Sequence, residues 1–343
     1  MTAYIVNLML IALYAVIGLA TRDSAGRVGR WLSRLVALQL IVLLALRDPS
    51  VGTDVYRYLD YFANARHGLT DSRFEIGFVA LLTLARSMSG DPQLFLLIVA
   101  IASVVPVAVF IERESRQPLL SWTVYITLGF YGFVFSGLRQ AIALGLTTMA
   151  ISYVRRRSLP KFLICVLIAS MFHASALIFL PAYWVYRLRL RGFMIVAYVG
   201  LVVVLFVFRE QLFEFTVQYV YSSFEVVRST AYSWLLLSAL IVGLSSTRLR
   251  ALRSPGERSA GLFNLALAGV TLMIFASVGT NVMRMADYYY IAVIALIPAV
   301  VETVSRRYRP LALVFVVLCL LGIYVIIMME SPYSIVPYVM AGS

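Results

Sequence analysis

Apolar runs of membrane-crossing length, cut at intervals by short clusters of arginine, constrain this chain more than any single motif. A helix needs about 20 apolar residues to cross the hydrocarbon core of a bilayer. Runs of that order recur at 3–19, 31–46, 93–111, 119–135, 139–153, 192–208, 232–247, 261–279, 288–303 and 310–328. Hydrophobic residues fill 62% of the 343 positions, more apolar surface than one soluble core of this size could hide. The run at 3–19 follows a nearly bare N-terminus with no charged leader or small-residue cleavage site, and reads as a retained helix. Cys165 and Cys319 both fall inside apolar runs, which excludes a disulfide framework and argues against redox chemistry.

The arginine clusters set the topology. Six of them (22–34, 113–116, 155–161, 187–191, 248–258 and 306–309) hold 20 of the 29 basic residues and, with Glu112 and Glu302 at their edges, only five of the 16 acids. That leaves +15 on one side of the membrane and −2 on the other, the asymmetry of the positive-inside rule. The net charge of +13 is therefore a membrane signature, and no soluble basic-aromatic segment points to nucleic acid. Two stretches do not fit a simple crossing. Residues 76–90 are apolar on one stripe but short, and read as an outer-leaflet or re-entrant helix. Residues 162–187 must leave and regain the cytoplasm, which predicts two half-length helices meeting near His173. The expected architecture is all-α and polytopic: one transmembrane domain over 1–343, with about 10–13 helices including short or re-entrant segments. Its outer-face loops fall at 47–75, 209–231 and 280–287.

Once the cytoplasmic arginines are set aside, the remaining polar residues gather on the outer side. Residues 47–62 carry a turn at Pro49 and Gly52, then Asp54, placed to cap a short helix bearing Tyr56, Tyr58 and Tyr61. The plain alternative is a solvated loop with an aromatic belt at the headgroups. Arg139 and Gln140 follow Gly137 at a helix start. There a guanidinium and free backbone N–H groups suit a phosphate, against an arginine that merely snorkels to the headgroups. His173 sits among small residues at the expected hairpin tip, as a general base or as a hydrogen-bonded packing residue. His67 lies in a polar loop and reads as solvated. Arg284 and Asp287 are three apart on one helix and either pair with each other or leave Arg284 for an anionic ligand. The segment 331–338 is an interfacial anchor or one wall of the site. Together these elements suggest an electropositive outer-face site suited to a diphosphate. No metal-ligand spacing, nucleotide loop or nucleophile elbow is present, so neither metal nor cofactor is expected.

The ordered set Arg47, Gly52, Asp54, Tyr58, then Glu75 and Gly77, resembles the EpsG family of Wzy-type polysaccharide polymerases. So do G-L-R-Q-x-I-A at 137–143, F-H-A-S-A at 172–176, Asn281 with Arg284 and Tyr288, and the closing Pro337-Tyr338. The resemblance implies a fold related to the C-type membrane glycosyltransferases in the bacterial inner membrane, with the active site facing the periplasm. It implies undecaprenyl-diphosphate-linked oligosaccharides as substrates, membrane lipids around the chain, and a chain-length regulator and a flippase of the same pathway as partners. Carried onto this sequence, it points to Arg139 and Arg284 on the diphosphate, assisted by Arg47. Tyr58, Gln140, Asn281 and Tyr288 are placed on the substrate; the resemblance does not name the base, and of His173 and Asp54 the former is preferred because its hairpin tip is the more buried. The nearest rival is an O-antigen ligase, which shares the donor. A transporter or flippase of lipid-linked sugars would line both faces and the midplane with polar groups and usually carry repeats; here the polar set is one-sided. A scaffold would not need one-sided arginines.

Overall fold

The computed structural model describes residues 2–21, 27–64, 74–189, 193–212, 214, 232–254, 259–277, 280–331 and 333–342. Among these, 80% are helical and none lies in a strand, so the protein is an all-α polytopic membrane protein. Three helices are long and apolar enough to cross a bilayer: Arg27–Ala45, Pro92–Glu114 and Arg309–Glu330. A fourth span arises if Met283–Tyr290 and Val293–Glu302 count as one bent crossing; the other apolar helices are shorter. The chain packs as two compact units, residues 1–177 with 297–343, and residues 178–296.

In the first unit the helices that frame the site are α1 (Thr2–Ala20), α2 (Arg27–Ala45), α3 (Val55–Asn64), α4 (Ile76–Met88), α5 (Pro92–Glu114), α6 (Pro118–Thr127), α7 (Phe130–Val134), α8 (Leu138–Arg155) and α9 (Leu159–Phe172). Helix α8 is the central one, packed between α5 and α9. Gly145 permits the approach to α5, since a Cβ there would lie 2.6 Å from the Ser103 carbonyl oxygen. Two of the hydroxyls buried at these contacts satisfy themselves on their own helices, as apolar surroundings favour. Thr148 donates to the Leu144 carbonyl at 2.6 Å and Ser103 to that of Val99 at 2.8 Å. The run expected to cross at 119–135 does not do so as one helix. Gly129, at φ 83°, adopts the left-handed conformation that glycine tolerates best, and it separates α6 from α7.

Helices α8 and α9 form a hairpin whose tight turn is Arg155–Ser158, so the start of α8 and the end of α9 share one end of the unit. At 18 residues α8 is about 27 Å long. At 14 residues α9 reaches only about 21 Å, short of a hydrocarbon core of about 30 Å. The half-length helix expected before His173 is therefore present. Beyond His173 the chain forms a 3-10 helix, Ala174–Phe179, and then a single α-turn, Ala182–Val185. Helix α4 is likewise too short to cross, at 13 residues. The opposite end of the unit is laced by ion pairs: Arg34 with Glu112 at 2.8 Å, Arg116 with Glu302 at 3.4 Å, and Arg155 with Glu114. Those pairs explain why acids occur among the arginine clusters at all.

In the second unit, helix Ala260–Met273 packs closely on helix Thr280–Tyr290, because Gly269 lies where a Cβ would stand 2.7 Å from the Tyr290 amide nitrogen. Asn264 anchors the same helix by donating to the carbonyls of Tyr186 and Leu188 at 3.1 and 2.8 Å. Helix Phe193–Val207 buries no residue, the behaviour of an element solvated by lipid. Most of the expected loop 209–231 lies outside the described residues.

Candidate functional site

The segment after α2 is held by the C-terminal segment of the chain. Asp48 N–H donates to the Val339 carbonyl and Ala341 N–H to that of Leu46, both at 2.9 Å, around an antiparallel bridge between Arg47 and Met340. Gly52 and Thr53 donate to Ser334 and Tyr333 at 3.2 Å, and the Tyr338 hydroxyl reaches the Leu43 carbonyl at 3.0 Å. The 331–338 stretch is thus a wall on the 46–53 loop. Arg47 is enclosed behind it, 2% exposed, with its guanidinium over the Phe135 ring at 5.0 Å. Burial pushes its pKa down to about 10, opposed by the nearby Tyr131, Tyr4 and Tyr338 hydroxyls. So placed, Arg47 meets almost no solvent.

Gly52 shows why its motif needs glycine. Its φ is +110°, and a Cβ would sit 2.1 Å from the Phe135 carbonyl oxygen. The close approach sets Thr53 against the Ser136 hydroxyl, and Ser136 donates to the Asp54 carboxylate at 3.4 Å. Asp54 immediately precedes α3, and one turn later Tyr58 points into the unit, 6% exposed, with its hydroxyl hydrogen-bonded to Arg139. Tyr56 faces outward, 78% exposed.

Three helix ends then meet. Arg139, second residue of α8, donates through Nη1 to Oε2 of Glu75 at 2.6 Å. Oε1 of the same carboxylate lies 3.1 Å from His173 Nδ1 and accepts the Ala174 N–H at 3.1 Å. Glu75 stands just before α4, and His173 ends α9 in an extended conformation. Gly77 makes this junction possible, because a Cβ there would come within 2.8 Å of the Met171 carbonyl oxygen. The Arg139 guanidinium also lies over the Phe74 ring at 4.7 Å, and its Nε has no hydrogen-bond partner among the described residues. Burial alone would raise the Glu75 pKa. The His173 hydrogen bond, the Arg139 charge and the backbone N–H groups of 75 and 174 outweigh it and hold the carboxyl at about 2. Glu75 is thus ionised and can only accept, so Nδ1 of His173 carries the proton toward it, and in the neutral ring Nε2 then holds the lone pair. All three side chains keep partial access, with Glu75, Arg139 and His173 exposed by 20%, 22% and 27%.

The free amides expected at the start of α8 are partly spent. Those of Ser136 and Gly137 donate to the Phe133 carbonyl, and that of Leu138 to Ser136. Gln140 is buried within α8. Arg284 and Tyr288 belong to the second unit, on helix Thr280–Tyr290, where the Arg284 charge acts on the Asp287 carboxylate and Tyr288 is fully buried. The side chain of Asn281, like His67, lies outside the described residues. Among the described residues no group of three or more His, Cys, Asp or Glu is placed to hold a metal.

Of the residues singled out in the sequence, the structure brings together Arg139, His173 and Tyr58, with Asp54 one helical turn from Tyr58. Glu75, which joins Arg139 to His173, carries no role in the sequence reading. Its signal in the sequence was the E-x-G spacing of Glu75 and Gly77, which the family resemblance included without giving the carboxylate a task. Comparison with curated proteins and with solved structures finds no match. The profile of the EpsG family, however, matches residues 30–340, nearly the whole chain. The protein therefore belongs to the EpsG family, a family of Wzy-type polysaccharide polymerases.

Proposed function

We propose that this polymerase transfers a glycan from one polyprenyl-diphosphate-linked oligosaccharide onto a second lipid-linked repeat unit, at the periplasmic face of a bacterial inner membrane. The observation that carries this reading is the half-buried meeting of Arg139 and His173 at one end of the α8–α9 hairpin, with the arginine cluster Arg155–Arg157 at the other. The reaction forms a bond from the acceptor's sugar oxygen to the donor's anomeric carbon and breaks the bond from that carbon to the diphosphate. The diphosphate leaves with the electron pair, and the acceptor hydroxyl gives up a proton. His173 Nε2 is the base in this reading, with Asp54 as the competing one. Arg139, whose guanidinium already holds Glu75 and Tyr58, supplies the cation that stabilises the charge developing on the leaving diphosphate. Arg284 keeps the role that the family resemblance implies, a cation for the same class of ligand, and is tested by its own variant.

The test is incubation of the purified protein in lipid with a defined lipid-diphosphate repeat unit, followed by a gel. A ladder of products supports the reading, and Arg139→Lys and Arg284→Lys should each lose most of it, because an ammonium does not reproduce a bidentate fork. No ladder from wild-type protein, or undiminished ladders from both lysine variants, overturns it.

A further inference from the structure

Glu75 performs a task that a structural ion pair would not require. A carboxylate placed to steady Arg139 alone needs one oxygen, and one placed at a helix start ordinarily caps that helix. Glu75 makes no side-chain cap bond to α4. It reaches instead to two other helix ends and divides its oxygens between them, Oε2 to Arg139 and Oε1 to His173 and the adjoining Ala174 amide. The Ala174 N–H and the His173 ring therefore share a single acceptor, which fixes the ring relative to the backbone that carries it. Gly77 sets α4 against Met171, so the carboxylate cannot drift from the junction without parting two packed helices.

We propose that Glu75 is a positioning residue of the transfer reaction: it holds the Nδ1–H of His173 so that Nε2 faces the acceptor hydroxyl, and it ties that base to Arg139 at a fixed separation. The inference rests on the proposed glycan transfer. During transfer the acceptor proton moves to Nε2. The resulting imidazolium, hydrogen-bonded to Glu75 through Nδ1, is stabilised by the carboxylate's charge without a second proton transfer. Because the same carboxylate also holds the guanidinium, the base and the diphosphate-binding cation are set as one rigid pair. A misplacement of about 1 Å between such groups can cost on the order of 10²-fold in rate.

The experiment uses the two histidines of the sequence. In a His67→Gln background, full-length protein labelled with 15N-histidine in lipid reports the tautomer of His173 alone. The proposal expects Nδ1–H in that background. Once Glu75→Ala is added, it expects a shift toward the Nε2–H form that imidazole prefers in water. In the polymerisation assay, near-isosteric Glu75→Gln should lower kcat by at least about tenfold, within what general-base catalysis contributes, while KM for the lipid-linked unit changes less than about threefold. Glu75→Asp should retain more activity than Glu75→Gln, and added formate should partly restore Glu75→Ala. A tautomer indifferent to Glu75→Ala, or a Glu75→Gln enzyme at wild-type kcat, overturns the proposal. If wild-type protein yields no ladder yet the tautomer follows Glu75, the functional reading fails while the positioning of His173 stands.

Discussion

His173 is where the two candidate bases can be separated. Asp54 has the Ser136 hydroxyl on its carboxylate, whereas His173 has a carboxylate behind Nδ1 and no partner on Nε2 among the described residues. His173→Ala should abolish polymerisation with protein abundance unchanged. His173→Gln, which can hydrogen-bond but not take a proton, should be as inactive; substantial turnover by it would move the base to Asp54. Glu75 offers a second measurement. Its folded pKa of about 2 lies below the ordinary 4.5, so the stability it contributes is complete above pH 4.5 and is lost as the pH falls toward 2. Detergent-solubilised Glu75→Gln should melt below wild type at pH 7, and the gap should narrow as the pH falls below 4.5 and close only as it passes below about 2; a gap unchanged with pH would show that the carboxylate's charge adds nothing. Arg139 and His173 were legible in the sequence because a cation on the outer side and a histidine in an apolar run are each out of place. Glu75 was not, because an acid beside a polar loop is where an acid is expected, and only the fold reveals that it serves two partners.

Among the elements, the α4–α9 contact decides whether the cluster assembles. Gly77→Ala puts a methyl group 2.8 Å from the Met171 carbonyl oxygen, a backbone atom that cannot swing aside. The helices must separate, and the strain is of the order of 1–3 kcal/mol. We expect activity to fall at least tenfold while the protein still inserts and purifies, since none of the side chains of Glu75, Arg139 and His173 is altered. Wild-type activity in Gly77→Ala would mean that the junction tolerates spreading. A glycine two residues after a glutamate is visible in the sequence, but its purpose depends on which helix lies opposite. The break at Gly129 is hidden for a related reason: hydropathy averages across a left-handed residue that leaves the composition of 119–135 apolar throughout.

For the whole molecule, the charge asymmetry is the property on which the proposed orientation rests. It assigns Arg155–Arg157 to the inside, and α8 carries Arg139 to the other end of the same helix. In a Cys319→Ser background, with Cys165 buried, Tyr56→Cys should react with a membrane-impermeant thiol reagent in intact spheroplasts. Arg156→Cys should react only after lysis. The reverse pattern would place the cluster on the cytoplasmic side and remove the lipid-linked donor from the reading. The all-α class comes directly from composition. What the sequence could not convey was which short helices stop inside the membrane region, because a helix's end depends on caps and packing partners rather than on its own apolarity.

The pairing of Arg47 with Met340 has a consequence for biogenesis. The loop that ends at Asp54 leaves the ribosome about 290 residues before the segment that walls it, some 15–60 seconds at ordinary translation rates. Until then its backbone lacks the partners at 333–341, and the approach to Phe135 must survive on Gly52 alone. This end of the first unit is therefore finished late, long after α8 and α9 have inserted. A chain cut after Glu330 would be expected to reach the membrane with its spans in place and its first loop unclosed, looking intact to a topology probe and silent in a polymerisation assay.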